Sequence, residues 1–200
     1  MRKPFAEYVE EHYGVDPVLI ACGLPATNKT ETMEVVSRIK GYTILRTDLI
    51  RKEILKDEDI FDERVASSMD KRELVYDEMF RLADMHSQIP GGIILDATFV
   101  TQSLRRRAAE VAANHGKTFV IQQTQCPKEI SIQRISKRSK ENYESNALTE
   151  QAYLNNLNKF EKIDLNDLKG LYPGLQIEHL LVDTTSDLEE EWFVINRVTR

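Results

Sequence analysis

Short apolar runs alternate with longer amphipathic segments along the chain. The runs are rich in β-branched side chains, whereas the segments between them repeat apolar residues at helical spacing. The runs are Pro17–Cys22, Tyr42–Leu45, Ile93–Ala97, Thr118–Gln122 and Ile177–Val182. Such runs are typical of strands that are buried on both faces of a parallel sheet and joined by crossover helices. We therefore predict a three-layer α/β fold in which a five-stranded parallel sheet lies between helices.

Helix signals fill the segments between and after these runs. Thr101–His115 has helical periodicity, and Gly116 behind it can take the left-handed conformation that ends a helix. Ser186–Glu189 has the form of a capping box, and Trp192 and Ile195 continue one helical stripe. The pattern therefore predicts a helix at the end of the chain, with Trp192 anchored in the core.

Composition fits one globular domain over residues 1–200. Of the 200 residues, 41% are hydrophobic and 30% are charged, so the chain can bury a core and cover its surface. The longest nearly apolar stretch, Val18 to Leu24, is too short to cross a bilayer. Two cysteines, Cys22 and Cys126, are too few for a disulfide framework. We therefore expect a cytoplasmic protein that has no membrane partner.

The net charge argues against a general nucleic-acid binder. It is formally −6, whereas proteins that bind nucleic acids or membrane surfaces without selectivity gain affinity from an excess of Lys and Arg. A polyanionic partner would need a local basic groove on this chain.

A motif typical of a phosphate-binding loop follows the first apolar run directly. It reads Gly23-Leu24-Pro25-Ala26-Thr27-Asn28-Lys29-Thr30 and leads into a helical segment. In such loops, backbone N–H groups and a helix N-terminus face phosphate oxygens, the Lys reaches the β- and γ-phosphates, and the hydroxyl holds Mg²⁺. We therefore predict that these residues bind the phosphates of ATP, with Lys29 on the phosphates and Thr30 on the metal.

Two positions of this loop depart from the Walker A pattern G-x-x-x-x-G-K-[ST]. Asn28 stands at the second glycine of the pattern, and Ala26 fills a further position that is often glycine. Asn tolerates a positive φ better than other residues with a Cβ, so the turn can form, although its side chain occupies room that a phosphate needs. The alternative is an ordinary strand-to-helix turn that Thr27 or Asn28 caps.

The second run ends in a pair of charged residues at helical spacing. Asp48 and Arg51 lie within Arg46-Thr47-Asp48-Leu49-Ile50-Arg51, at the carboxyl end of a predicted strand, where doubly wound sheets place their ligands. Asp48 could accept the proton of an attacking hydroxyl, and Arg51 could hold an anionic acceptor. Alternatively, Asp48 caps a helix, and Arg51 pairs with Asp48 or Asp57.

Further charged residues complete the candidate site. Asp96 ends the third run, at the position of a Walker-B-type aspartate that assists Mg²⁺. Arg134 and Arg138 lie at i, i+4 of a predicted helix, where two guanidinium groups could clamp a transferring phosphoryl group, although solvated surface arginines are the alternative. The run Arg105–Arg107 is a weaker candidate because consecutive helical residues point in different directions.

Four motifs, taken in order, resemble those of small P-loop kinases: GLPATNKT, RTDLIR, IILDATF and QRISKR. That group includes zeta toxins, the kinase domain of polynucleotide kinases, chloramphenicol phosphotransferase, gluconate kinase-like proteins and other ATP-binding kinases of the AAA type. The similarity extends from about Pro17 to Asp183. It implies an adenylate-kinase-like P-loop NTPase sheet with the strand order 2-3-1-4-5, a lid at about residues 127–148, and phosphoryl transfer from ATP with Mg²⁺ to a hydroxyl.

The resemblance also implies a role for each matching residue. Asp48 would be the catalytic base and Arg51 would contact the acceptor. Asp96 would assist the metal, and Arg134 and Arg138 would come from the lid.

The function we expect is that of an ATP-dependent kinase for a small-molecule or nucleotide-like acceptor. Because Asn28 departs from the pattern, a nucleotide-binding module or pseudokinase is one alternative. The D-x-x-R spacing of Asp48 and Arg51 most resembles the polynucleotide-kinase and zeta-toxin branch, so a 5′-hydroxyl polynucleotide kinase is another, which the net charge disfavours. The presence of Lys29, Thr30, Asp48 and Asp96 together favours an active enzyme.

Overall fold

A mixed seven-stranded sheet forms the centre of the protein in the computed structural model, which describes residues 2–57, 68–138 and 148–200. The strands are β1 (Lys3–Pro4), β2 (Val18–Cys22), β3 (Thr43–Arg46), β4 (Ile93–Asp96), β5 (Phe119–Gln125), β6 (Ile177–Asp183) and β7 (Phe193–Thr199). They lie in the order β1-β7-β6-β5-β2-β4-β3. Strands β2 to β6 pair in parallel, whereas β7 pairs antiparallel with β6 and with β1.

The five sequence-predicted strands all form, and the prediction of a purely parallel five-stranded sheet is wrong. If the five predicted strands are numbered 1 to 5 along the chain, they lie in the sheet in the order 2-3-1-4-5. In the numbering of all seven strands, this is the order β3, β4, β2, β5, β6. The two further strands lie on the β6 side and make the sheet mixed. They extend the sheet past the last predicted strand because an unpaired edge would leave the outer backbone groups of β6 without partners.

The predicted C-terminal helix is also wrong, because this segment is strand β7. Phe193–Thr199 is rich in aromatic and β-branched residues, which favour a strand once a neighbouring edge is available. Ser186 does not begin a helix: its hydroxyl accepts a hydrogen bond from the Leu188 N–H, and only one 3₁₀ turn, Glu189–Glu191, follows. Trp192 is buried, as predicted, and its indole donates to the Ser186 carbonyl.

Helices cover both faces of the sheet. They are α1 (Phe5–His12), α2 (Lys29–Lys40), α3 (Thr47–Ile54), α4 (Met69–Ser87), α5 (Gln102–Asn114), α6 (Lys128–Ser136), α7 (Glu150–Lys159) and α8 (Leu165–Leu171). Thr101 caps α5 through a hydrogen bond from the Leu104 N–H, and Gly116 takes a left-handed φ of 62° just past the end of that helix, as the sequence predicts. None of the helices in the described ranges combines the length and the apolar character that a membrane span requires.

Alternating side chains of β2 divide the core into two hydrophobic clusters. Val18, Ile20 and Cys22 enter the cluster on one face of the sheet, which helices α4 and α5 cover. Leu19 and Ala21 enter the cluster on the other face, with residues of α1 and α2. A strand that is buried on both faces reads as an unbroken apolar run, which explains why the sequence predicted β2 so well.

The carboxyl ends of β2, β3 and β4 meet at one edge of the sheet. Strand β2 pairs with β4, and β4 pairs with β3 in a register that sets Arg46 opposite Asp96. The phosphate loop follows β2, and helix α3 follows β3 without an intervening loop. This edge therefore brings together the residues that the sequence singled out.

Candidate nucleotide and phosphoryl-transfer site

The phosphate-loop segment forms a tight turn between β2 and α2. Ala26 and Asn28 both adopt left-handed backbone conformations, with φ values of 60° and 53°. Asn28 precedes the first residue of α2, but its side chain makes no capping hydrogen bond, so the simple capping alternative for Asn28 is not what the structure shows. The loop thus takes up positive φ at the two positions where the motif departs from glycine.

Gly23 cannot be replaced without moving the neighbouring strand. A Cβ at this residue would lie 2.7 Å from the Thr124 carbonyl oxygen, and φ is 141°. The Thr27 hydroxyl donates to the Leu24 carbonyl at 2.8 Å and contacts the Thr124 hydroxyl at 2.7 Å. The Thr184 hydroxyl donates to the Thr27 carbonyl at 2.9 Å. Hydroxyls from β5 and from the end of β6 therefore fix the loop from outside, a support that the loop motif alone does not reveal.

Lys29 lies folded against the loop. Its ammonium donates to the Leu24 carbonyl at 2.7 Å. Burial lowers the pKa of Lys29, and the nearby carboxylate of Asp96 opposes that shift. An ammonium group that is poorly solvated gains interaction energy when an anion arrives.

Thr30 and Asp96 are in direct contact. The Thr30 hydroxyl donates to Asp96 Oδ2 at 2.9 Å. Burial raises the pKa of Asp96, whereas the Thr30 hydrogen bond and the charges of Arg46 and Lys29 lower it. Hydroxyl and carboxylate oxygens are the donors that Mg²⁺ prefers, so this pair fits the metal that the sequence implies.

Arg46 lies within the site, although the sequence analysis gave this first residue of RTDLIR no role. Its Nε donates to Asp96 Oδ2 at 3.1 Å, and its Nη2 donates to Glu34 at 2.8 Å. The strand register that sets Arg46 opposite Asp96 creates this contact. Sequence reasoning missed Arg46 because strand pairing, which is not readable from a local pattern, brings the two residues together.

Asp48 and Arg51 lie beside this cluster on the first turns of α3. Arg51 Nη1 lies 3.5 Å from Asp48 Oδ1, so the pairing alternative is present in the structure. Helix α3 begins at Thr47 and its N-cap is Arg46, so Asp48 is not the cap. The Thr47 hydroxyl donates to the Asp96 carbonyl at 3.2 Å and ties the start of α3 to the end of β4. The predicted roles of Asp48 and Arg51 stay predictions.

Arg134 lies among backbone carbonyls. Its Nη2 donates to the carbonyls of residues 184–186 at 2.9, 3.2 and 3.0 Å, and its Nη1 donates to the Ala26 carbonyl at 3.3 Å. Its Nε donates to Asp187 at 2.8 Å. The guanidinium therefore bridges the phosphate loop and the segment after β6.

Arg138 is not on the helix that carries Arg134. Helix α6 ends at Ser136, and the N–H groups of Lys137 and Arg138 bond to carbonyls three residues back. This tightening of the last turn takes Arg138 off the i, i+4 face, so the prediction of a shared helical face is wrong. Of the predicted lid at about residues 127–148, positions 139–147 lie outside the described residues.

Both arginines line a cleft of about 690 Å³ next to the phosphate loop. Asn28, Arg38, Glu189 and Trp192 are among the other residues that line this cleft. The cleft extends from the loop to the segment between β6 and β7, so a molecule whose phosphates lay on the loop could place its remaining atoms there.

The basic run on α5 serves the fold in this structure. Arg105 is fully buried and donates to the Val100 carbonyl at 3.2 Å. Arg106 pairs with Asp167 at 2.6 Å, and Arg107 pairs with Asp77 at 2.6 Å. These contacts hold α5 against its neighbours.

Comparison with known proteins gives a family and a fold. A family model described as an AAA domain matches residues 18–163. A search of curated protein sequences gave no significant match. A sugar kinase from Janibacter sp. HTCC2649 superposes with a TM-score of 0.62 at 12% identity, over 84% of this chain and 86% of that chain. A gluconokinase from Sinorhizobium meliloti 1021 gives 0.58 at 15% identity, over 87% and 86%.

A third similar structure was solved with a nucleotide. The AvrRxo1-ORF1:-ORF2 structure with ATP gives a TM-score of 0.57 at 18% identity and covers 98% of this chain and 62% of that chain. At such identities the structural similarities establish the fold alone, whereas the family match covers most of this chain. The chain therefore belongs to the AAA domain family of that model and has the P-loop fold of small kinases.

Proposed function

We propose that the protein is an ATP-dependent phosphotransferase that phosphorylates a hydroxyl group of a small-molecule or nucleotide-like acceptor. The observation that carries the proposal is the contact of Thr30 with Asp96 at 2.9 Å, directly beside Lys29. A purely structural strand-to-helix turn does not require a hydroxyl, a buried carboxylate and an ammonium group at one point.

The phosphate loop supplies the nucleotide side of this proposal. When bound, ATP would supply the γ-phosphoryl group, and Mg²⁺ would offset part of the negative charge of the phosphates. The loop N–H groups and Lys29 bind phosphate oxygens, and Thr30 and Asp96 hold the metal. Gly23 lets the loop backbone lie close to β5, where a Cβ would be 2.7 Å from the Thr124 carbonyl oxygen.

Asp48 is the proposed catalytic base for the acceptor hydroxyl. It follows β3 at the edge where Asp96 ends β4, and its carboxylate is partly exposed. From there it can orient the acceptor hydroxyl and take its proton during transfer. Arg51, at 3.5 Å, holds the Asp48 carboxylate in place and stays close enough to contact the acceptor.

Arg134 and Arg138 have different roles in this proposal. Arg134 holds the Ala26 carbonyl and the segment after β6, so it positions the loop. Arg138 lies at the cleft beyond the end of α6 and is the better placed of the two to meet charge on the transferring group.

One observation favours the alternative of a nucleotide-binding module without turnover. The Arg46 guanidinium already pairs with Asp96 at 3.1 Å, so a cation shares the carboxylate that would assist the metal. Together with Asn28 in the loop, this pairing would fit a protein that binds a nucleotide but transfers nothing.

Release of ADP from ATP and Mg²⁺, measured across a panel of hydroxyl compounds, tests the proposal. We expect at least one compound to accelerate ADP release in the wild type and Lys29→Ala to lose that acceleration. The matched control is Lys40→Ala, which removes a half-buried lysine that donates to the Glu10 carbonyl at the far end of the same helix. Tight ATP binding without transfer to any compound would favour the binding module, and equal ATP affinity in wild type and Lys29→Ala would refute both functions.

A further inference from the structure

Arg72 brings a positive charge to the end of β4 that no sequence motif marked. It lies in the first turn of α4, and its Nη2 is 3.4 Å from the Thr98 hydroxyl. Thr98 follows Asp96 by two residues, and its carbonyl accepts a long hydrogen bond of 3.4 Å from the Gly23 N–H. The guanidinium of Arg72 therefore lies on the side of the phosphate loop that faces β4.

Strand register puts Asp48 and Thr98, which contacts Arg72, just beyond the carboxyl ends of two paired strands. Arg46 and Asp96 are paired across β3 and β4, and Asp48 and Thr98 each follow their strand's paired residue by two positions. The two positions thus leave neighbouring strands at the same level of the sheet. A group that contacts the Thr98 hydroxyl therefore lies at the same edge of the sheet as Asp48.

Helices α3 and α4, which carry Arg51 and Arg72, pack against each other beside this edge. Tyr76, one turn after Arg72 on the same face of α4, packs with its ring centroid 6.0 Å from that of Phe99. Ile50, next to Arg51, packs against the same hydrophobic cluster. Phe99 itself is fully buried in this cluster and has a positive φ of 44°, which is uncommon for a residue with a Cβ.

The three arginines at this edge differ in how many carboxylates they contact. Arg46 contacts two carboxylates, those of Asp96 and Glu34, and Arg51 contacts the carboxylate of Asp48. Within the described ranges, the side chain of Arg72 has the Thr98 hydroxyl as its hydrogen-bond partner and no carboxylate. A guanidinium carries five N–H donors, so most of those on Arg72 are available to an incoming oxyanion.

We propose that Arg72, together with Arg51, binds an anionic group of the acceptor, a phosphate or a carboxylate, while Asp48 faces the acceptor hydroxyl. This inference rests on the proposed phosphotransferase function and narrows its substrate class to hydroxyl compounds that carry an oxyanion. The planar guanidinium fork suits both phosphate and carboxylate oxygens. A neutral acceptor would leave the charge of Arg72 without a counterion.

Binding of matched anionic and neutral probes to the protein saturated with a non-hydrolysable ATP analogue tests the inference. The pairs are ribose 5-phosphate with ribose, and gluconate with glucose, titrated by calorimetry. We expect the wild type to bind at least one anion about tenfold or more tightly than its neutral partner, and Arg72→Gln to lose most of that preference. Arg81→Gln is the matched control, because Arg81 is an exposed residue of the same helix that pairs with Glu78.

The outcomes separate this inference from the function on which it rests. Absence of any anion preference in the wild type, or its retention in Arg72→Gln, overturns the role of Arg72. A preference in the phosphate pair alone, or in the carboxylate pair alone, identifies the acceptor group and supports the inference. If Arg72→Gln does not fold, Arg72→Lys replaces it, and a preference undiminished in that variant counts against bidentate binding. Failure of the wild type to bind the ATP analogue refutes the proposed function instead.

Discussion

The hydroxyl of Thr30, at the start of α2, donates a hydrogen bond to the carboxylate of Asp96, at the end of β4, across 2.9 Å. The two residues are 66 positions apart in the chain, and the parallel pairing of β2 with β4 brings them together. The contact joins the phosphate loop to the strand end beside which Asp48 lies. Our account of the site makes the following predictions.

Lys29→Ala should weaken ATP binding by about a hundredfold or more, because the change removes a charge-assisted contact with the phosphates. Fluorescence titration with a labelled ATP analogue measures this. Lys40→Ala, at the other end of α2, should bind the analogue as the wild type does. Wild-type affinity in Lys29→Ala would show that the loop does not bind phosphates.

Asn28→Gly should raise the melting temperature and tighten ATP binding or speed turnover. Asn28 has a φ of 53°. This left-handed conformation is unfavourable for a residue with a Cβ but not for glycine. Asn28→Ala is the matched variant and should destabilise the protein by about 1 kcal/mol, because alanine tolerates positive φ less well than asparagine. Weaker ATP binding in Asn28→Gly would mean that the Asn28 side chain itself contacts the nucleotide.

Arg134→Lys should lower both the melting temperature and the affinity for ATP. Lysine cannot reproduce the bridge from the Ala26 carbonyl to the carbonyls of residues 184–186, since it lacks the guanidinium fork. Arg138→Lys should lower the melting temperature less and should reduce kcat more than ATP affinity, because charge on the transferring group develops in the transition state. Thermal melting and steady-state kinetics on both variants decide between these roles, and an unchanged kcat in both would remove the lid arginines from catalysis.

The fold should lose stability in mild acid through His179. Burial, followed by the charge of Arg105, lowers the pKa of His179 to about 4. The unfolded chain takes up this proton near the ordinary pKa of 6.5, so the free energy of unfolding falls as the pH drops from there towards 4. Between about pH 7 and pH 5 the loss from this residue should reach about 2 kcal/mol.

Urea unfolding at the two pH values measures this loss. In His179→Gln the contribution should vanish, because glutamine does not titrate and can still bond to Gln123, which lies 3.0 Å from His179. Identical pH dependence in His179→Gln and the wild type would contradict the assignment.

Much of the fold was readable from the sequence because its strands carry unambiguous patterns. Val18–Cys22 and Ile93–Asp96 are buried on both faces, and such strands appear as continuous apolar runs. Strand β7 was misread as a helix because its choice of structure depends on the open edge of β6, which a local pattern does not contain.

The candidate site was predictable where one short segment carries the chemistry. The phosphate loop follows β2 directly and Asp96 is the last residue of β4, so both could be placed from the sequence. Arg46 and Arg72 could not, because their partners Asp96 and Thr98 are brought to them by strand pairing and helix packing. The contacts of Arg134 with backbone carbonyls could not be predicted either, because every residue has a backbone carbonyl and the sequence does not show which ones come close.

Single-turnover phosphoryl transfer by Asp48→Asn, measured beside its ATP affinity, tests the central claim most directly. Asparagine keeps the shape of the side chain and removes its charge, so it cannot accept the proton of the acceptor hydroxyl. The account predicts nearly unchanged ATP binding and a rate of transfer to the acceptor that falls by about a hundredfold or more. A rate equal to that of the wild type would show that Asp48 only supports α3, and the proposed catalytic base would be wrong.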